Sequence, residues 1–201
     1  MPLASKSKKA EPEIVINFPQ KYYVIGADLS LKRPGFCKLT VEKTEEGTRF
    51  TDIQLMSVDN KTDSKKPHGQ LLNEIMEAFT AFIPDPEKDQ TPCFYIRETE
   101  IISKHTPYER NISKVVGIMD WLLWRLNVSW QSLYPVSIKK LVAGSGKADK
   151  SAVAEHLPYY VGEIKYNNDD ESDATAVAIA WLLQQNQLQP QPIVKSGEQS
   201  G

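Results

Sequence analysis

Cysteine is scarce in this chain: Cys37 and Cys93 are the only two among 201 residues. Two such distant cysteines form neither a zinc pattern nor a disulfide framework. Both sit in apolar, strand-like stretches, which reads as small buried hydrophobes in a reducing compartment. No apolar run approaches the ~20 residues of a membrane span. The opening MPLASKSKKAEPE is basic and polar and lacks the apolar stretch of a secretory signal. Neither charge sign dominates, with 24 Lys and Arg against 26 Asp and Glu and a formal net charge of -2. That balance excludes a generic basic DNA-coating protein. It leaves room for an enzyme whose basic segments are local and whose acids are gathered elsewhere. There are no internal repeats. A cytoplasmic protein with no membrane contact is the expectation.

What is present suits one domain, since 40% of the residues are hydrophobic. Residues 1–19 read as a flexible basic leader, 20–185 as the domain, and 186–201, with its Gln-Pro repeats and Ser-Gly ending, as a flexible tail. Tyr22 to Asp28 is a short apolar run that predicts a buried strand. Gly35 to Glu42 and Arg49 to Val58 predict two more, joined as a hairpin by the charged turn Glu45-Glu46-Gly47. A polar loop follows at about 60–69. Leu71, Leu72, Ile75, Met76, Phe79 and Phe82 recur at helical spacing up to Pro84 and Pro86. Phe94 to Glu98 is a fourth strand, 109–126 a long helix, Val128 to Val136 a fifth strand. Short helices are predicted at 137–143 and 148–157 and a last one at about 170–183. This order is that of an α/β ribonuclease-H-like fold, a mixed five-stranded sheet flanked by helices. The 109–126 helix carries Ile112, Val115, Met119, Leu122 and Leu126 on one side. Val116, Ile118, Trp121, Leu123 and Trp124 add a second apolar side that needs cover of its own.

Four carboxylates fall where chemistry could use them. Asp28 ends the first strand, Glu98 ends the fourth, and Asp170 and Asp173 lie one helical turn apart at the start of the last helix. Taken singly, each has an ordinary explanation as a turn, cap or dipole residue. Together they make a set whose mutual repulsion is relieved by cations. Mg²⁺ suits hard oxygen ligands, and two such ions about 4 Å apart serve both the attacking and the leaving oxygen of a phosphodiester. The neighbours Asp169, Glu171 and Glu100 read as solvated charges, and His105 as a surface or DNA-contacting histidine. A basic segment, SIKKLVAGSGKADKSAV, sets Lys139, Lys140, Lys147 and Lys150 against one acid, Asp149. The Gly144-Ser145-Gly146 turn could bring backbone amides to a phosphate. An ordinary helical corner with solvated lysines explains the same residues. It is not a Walker loop, so no nucleotide cofactor is expected.

These stretches resemble the RuvC-type Holliday-junction resolvases. IGADLSLKRPGF resembles the family's first motif, YIRETEI its second, SIKKLVAGSGKADK its Lys-Gly segment and DESDATAVAIA its closing Asp-x-x-Asp-Ala motif, in the family's order over about 22–183. The resemblance implies that Asp28, Glu98, Asp170 and Asp173 bind two Mg²⁺ or Mn²⁺ ions. It also implies that Lys139 and Lys150 lie near the scissile phosphate; Ser145, Gly146 and Lys147, in the turn between them, are read as further DNA contacts. It further implies a homodimer that nicks four-way or other branched DNA. Ile101 stands where bacterial members present an aromatic, and the divergence is closer to phage resolvases. Two other readings are a branched-DNA-binding protein on a decayed nuclease fold and an ATPase like the sugar and acetate kinases. Binding without cleavage would mark the first. Nucleotide binding would mark the second, for which the chain is short of the usual second domain.

Overall fold

The computed structural model describes residues 17–60, 66–100 and 106–190. Five strands, β1 (Lys21–Asp28), β2 (Gly35–Thr44), β3 (Gly47–Ser57), β4 (Cys93–Glu98) and β5 (Ser129–Leu133), form one sheet in the order β3-β2-β1-β4-β5. β2 is antiparallel to both β1 and β3, whereas β4 runs parallel to both β1 and β5. The expected mixed five-stranded sheet is thus observed. Six helices accompany it among the described residues: α1 (His68–Phe82), α2 (Pro107–Arg125), α3 (Pro135–Ala143), α4 (Lys150–His156), α5 (Pro158–Val161) and α6 (Asp169–Gln184).

The central strand shows why the sheet is covered on both sides. In β1, Tyr22 and Val24 point into one core and Ile25 and Ala27 into the other, all fully buried. A strand buried on both faces is a near-continuous apolar run, and KYYVIGAD is one. The first core, with Leu39, Ile96 and Trp181, lies under α6, α3 and α4. The second, with Phe36, Phe79, Tyr95 and Met119, lies under α1 and α2. The hairpin turn is at Glu45-Glu46, with Thr44 paired to Gly47. Gly47 takes a positive φ of 129°, which a residue without Cβ adopts freely. α2 starts at a capping box: Thr106 accepts from the Glu109 N–H, the Glu109 carboxylate accepts from the Thr106 N–H, and Pro107 supplies the first turn.

The structure departs from the sequence reading in three places. β5 is shorter than Val128 to Val136, because Pro135 presets φ for the first turn of α3. The short α5, a single turn begun by Pro158, has no periodic signal in the sequence. The second apolar side of α2 is smaller than the sequence implies: Val116 and Leu123 are buried in the core, while Trp121 and Trp124 remain exposed. The leader and tail expected at 1–19 and 186–201 fall mostly outside the described residues. Of the parts that are described, Phe18 packs on Tyr22, Phe94 and Trp181, and Leu188 packs against the same core. Ile101, His105 and residues 61–65 of the polar loop lie outside the described residues.

Candidate active site

Parallel pairing fixes the first two carboxylates. The β1–β4 register ends at Ala27 opposite Arg97, so Asp28 and Glu98 follow side by side at the same end of the sheet. Both line one small polar cleft of about 70 Å³, together with Thr99 and Glu100. Two glycines bring the last helix to that end. A Cβ on Gly26 would stand 2.1 Å from the Ala174 carbonyl oxygen, and one on Gly35 would stand 2.1 Å from the Asp170 carbonyl oxygen. Gly35 is the partner of Asp28 in the β1–β2 ladder. The first turn of α6 therefore lies directly on the sheet beside Asp28, and it carries Asp170 and Asp173 there.

The electrostatics reflect this gathering. Burial pushes the Asp28 carboxyl up to about 7, and the neighbouring charges of Asp173, Glu98 and Asp170 push the same way against the pull of Lys150. Partial desolvation and then Asp173 raise Glu98, while Lys150 and Lys139 act to lower it. The Lys150 ammonium donates to Asp173, and the Arg33 Nε donates to Asp170. Desolvation works against the Lys150 charge, but the bond to Asp173 and the charges of Asp28 and Asp170 hold its pKa above the ordinary value. With two carboxylates so engaged, no three His, Cys, Asp or Glu side chains among the described residues converge into a metal cage. The donor set nonetheless suits a hard cation: four carboxylates at one sheet end, two of them already drawing cationic side chains.

The basic segment divides. Lys139 on α3 is close enough for its charge to act on Glu98. Lys140, next to it, lines a separate cavity of about 370 Å³ with Ser137, Tyr160 and Gln184. Gly144 ends α3 in the left-handed conformation, at φ 73°. The turn then closes on itself, the Lys147 N–H donating to Ser145 Oγ and the Ala148 N–H to the Ser145 carbonyl. Asp149 caps α4 and sets Lys150 in its first turn. Ser145 and Lys147 are exposed and Gly146 between them is half-buried.

Sequence reasoning missed two residues. Glu171, expected to be solvated, is buried. It accepts from Ser57 Oγ at 3.0 Å and from the Asn167 N–H at 2.9 Å, and so ties the α6 N-terminus to the end of β3. Arg33 leaves no periodic signature. Its only sequence signal is its place in the six-residue loop straight after Asp28.

No family model matches the chain. Its sequence is 24% identical over 163 residues to the crossover junction endodeoxyribonuclease RuvC of Orientia tsutsugamushi (strain Boryong), covering 81% of this chain and 96% of that protein. It is 26% identical over 167 residues to a crossover junction endodeoxyribonuclease RuvC of Prochlorococcus marinus, covering 81% and 99%. The chain is RuvC-like. The fold of this RuvC-like chain agrees: a solved structure of T. thermophilus RuvC in complex with Holliday junction substrate superimposes with a TM-score of 0.65 at 16% identity, over 81% of this chain and 94% of that one. No described helix is long and apolar enough to cross a membrane.

Proposed function

We propose that this chain is a structure-selective endodeoxyribonuclease that hydrolyses phosphodiesters in four-way or other branched DNA, working in the cytoplasm. The observation that carries the reading is the meeting of Asp28, Glu98, Asp170 and Asp173 at one end of a ribonuclease-H-like sheet, with Lys139 and Lys150 beside them. Those four carboxylates would hold two Mg²⁺ ions, with Mn²⁺ able to substitute. Bound there, the ions would supply an activated water and charge neutralisation at the leaving 3′ oxygen. The side chains do the rest. Lys150 and Lys139 hold the phosphate and offset its growing negative charge. Ser145, Gly146 and Lys147 contact the DNA backbone from the turn between α3 and α4. Burial around Asp28 keeps bulk water from one wall of the cleft. No side chain acts as nucleophile.

A four-way junction has near two-fold symmetry, and opposed nicks call for two equivalent sites. The protein therefore acts as a homodimer. The test is incubation with fixed four-way, three-way and linear duplex DNA in Mg²⁺, resolved on denaturing gels. Paired cuts in the branched substrates and an intact linear duplex are expected. Tight junction binding with no cut in Mg²⁺ or Mn²⁺ would favour a binding protein on a nuclease fold.

A further inference from the structure

The four-carboxylate site has a further cation, Arg33, to which neither the motif reading nor the relatives' names give a role. Arg33 lies in the loop between β1 and β2 and gives its Nε–H to Asp170. The loop is pinned from several sides. The Arg33 N–H donates to Ser30 Oγ at 2.9 Å, and the buried Asn60 donates to the Leu31 carbonyl at 3.2 Å. The Asn60 and Val58 N–H groups close on the Lys32 and Pro34 carbonyls at 2.8 and 3.1 Å. The guanidinium is thus fixed at its base a few residues after Asp28, while both side chains of the ion pair keep about a fifth of their surface open. Lys150 holds Asp173 in the same manner one turn along α6.

Asp170 cannot serve Arg33 and a divalent ion equally well. The two cations repel, and a carboxylate drawn into an ion's inner shell gives up much of its charge to it. A displaced guanidinium on a short, pinned loop stays at the mouth of the site. The anion that then arrives is a DNA phosphate, whose oxygens match the planar fork of arginine. We propose that Arg33 is a further DNA-contacting residue of the site, held on Asp170 until a divalent ion takes that carboxylate and thereafter bound to phosphate. This rests on the metal reading of the four acids. It makes metal and DNA binding reciprocal through one side chain.

The test needs no turnover. Mn²⁺ affinity is measured by electron paramagnetic resonance without DNA. Affinity for a four-way junction is measured by fluorescence anisotropy in EDTA and in Ca²⁺, with the junction recovered uncut. For Arg33→Gln, Mn²⁺ binding should tighten several-fold, because the competitor is gone. Junction binding should be unchanged in EDTA yet several-fold weaker in Ca²⁺, with a salt dependence shallower by about one phosphate contact. Arg33→Lys should restore much of the Ca²⁺ affinity. Unchanged Mn²⁺ affinity, or an equal loss of junction binding in EDTA and Ca²⁺, would overturn the exchange and leave Arg33 an ordinary surface cation. If Asp28→Asn leaves Mn²⁺ binding intact, the metal reading itself fails and the exchange fails with it.

Discussion

α6 and α2 are both apolar nearly all round in sequence, yet the fold treats them differently. α6 is sealed. From Ala174 to Leu183 every residue is buried, with the sheet on one side and α3 and α4 on the other. α2 is sealed on one side only. Val115, Val116, Met119, Leu122 and Leu123 enter the core, while Trp124 keeps 75% of its surface in water. The sealed helix carries two charged residues of the site at its N-terminus, and its enclosure is what holds them still. The half-sealed helix carries no carboxylate of the four and presents a surface instead. An apolar helix thus shows that cover exists; only the third dimension shows whether the same chain provides it.

The two helices should differ most in their tolerance of a methyl group at glycine. Gly35→Ala places a methyl where the Asp170 backbone is, 2.1 Å from its carbonyl oxygen, and backbone cannot rotate away as a flexible side chain can. The loss of stability should be about 3 kcal/mol, the upper part of the overpacking range. Cleavage should fall even under conditions where the protein stays folded, because α6 must lift and take Asp170 with it. Gly117 on α2 meets nothing within 4 Å. Gly117→Ala should instead stabilise by roughly 0.5–1 kcal/mol through helix propensity. Urea denaturation of the two variants should give opposite signs. Two losses of equal size would mean that α2 is as enclosed as α6.

A second contrast is charge. The core around α6 ends in repelling acids, and Asp28 is its most perturbed member, pushed up to about 7. Below pH 4 this carboxyl is neutral in the folded and the unfolded chain, and it costs nothing. Between pH 4 and 7 the folded state retains a proton that the unfolded state has lost. Stability therefore falls as pH rises, and levels off once both forms are ionised. In EDTA the protein should melt lower at pH 8 than at pH 5 on account of this group, with Glu98 acting in the same direction. Asp28→Asn should raise the pH 8 melting midpoint, flatten the slope and abolish cleavage. A variant that melts lower than the parent at pH 8 would show that the Asp28 carboxylate is stabilised by its surroundings.

Much of this is legible in the sequence, for physical reasons. β1, α1 and α6 declare themselves because burial imposes a period on a contiguous stretch: a continuous run in β1, Leu71, Ile75 and Phe79 in α1, the Ala-rich face in α6. Asp28, Glu98, Asp170 and Asp173 stand out because each marks the end of such a stretch. Glu171 escapes sequence reading because an acid among acids looks solvated. It is held from nearby by Asn167 and from afar by Ser57, 114 residues away in the chain. Arg33 is invisible in the sequence because its partner lies 137 residues away. Val116 and Leu123 look outward on a helix wheel, which cannot show that Leu71, Ile75 and Phe79 of α1 share a core with them. Periodicity reports local packing; contacts between distant loops leave no period.

The smallest effect expected on the folded monomer is the sharpest test of what α2 is for. Trp124 is the more exposed of its two outer tryptophans; Trp121 is 46% exposed and lies under the Arg125 guanidinium at 5.3 Å. An indole in water contributes little to a monomer, so Trp124→Glu should change its stability by no more than about 0.5 kcal/mol. It should leave the carboxylate cleft untouched, since that cleft borders Ile112 and Val116, about two turns or more earlier along the helix. If a second chain covers this surface, the same substitution buries a charge against apolar neighbours, and tryptophan is the residue type whose loss costs an interface most. The dimer dissociation constant should then rise by about tenfold or more, which is ~1.4 kcal/mol. Sedimentation at micromolar concentration should show a dimer for the parent and a shift toward monomer for the variant. Uncoupled single nicks in a four-way junction should accumulate in step. A parent protein that sediments as a monomer and still cuts both strands together would mean that the junction, with its own two-fold axis, assembles the two sites.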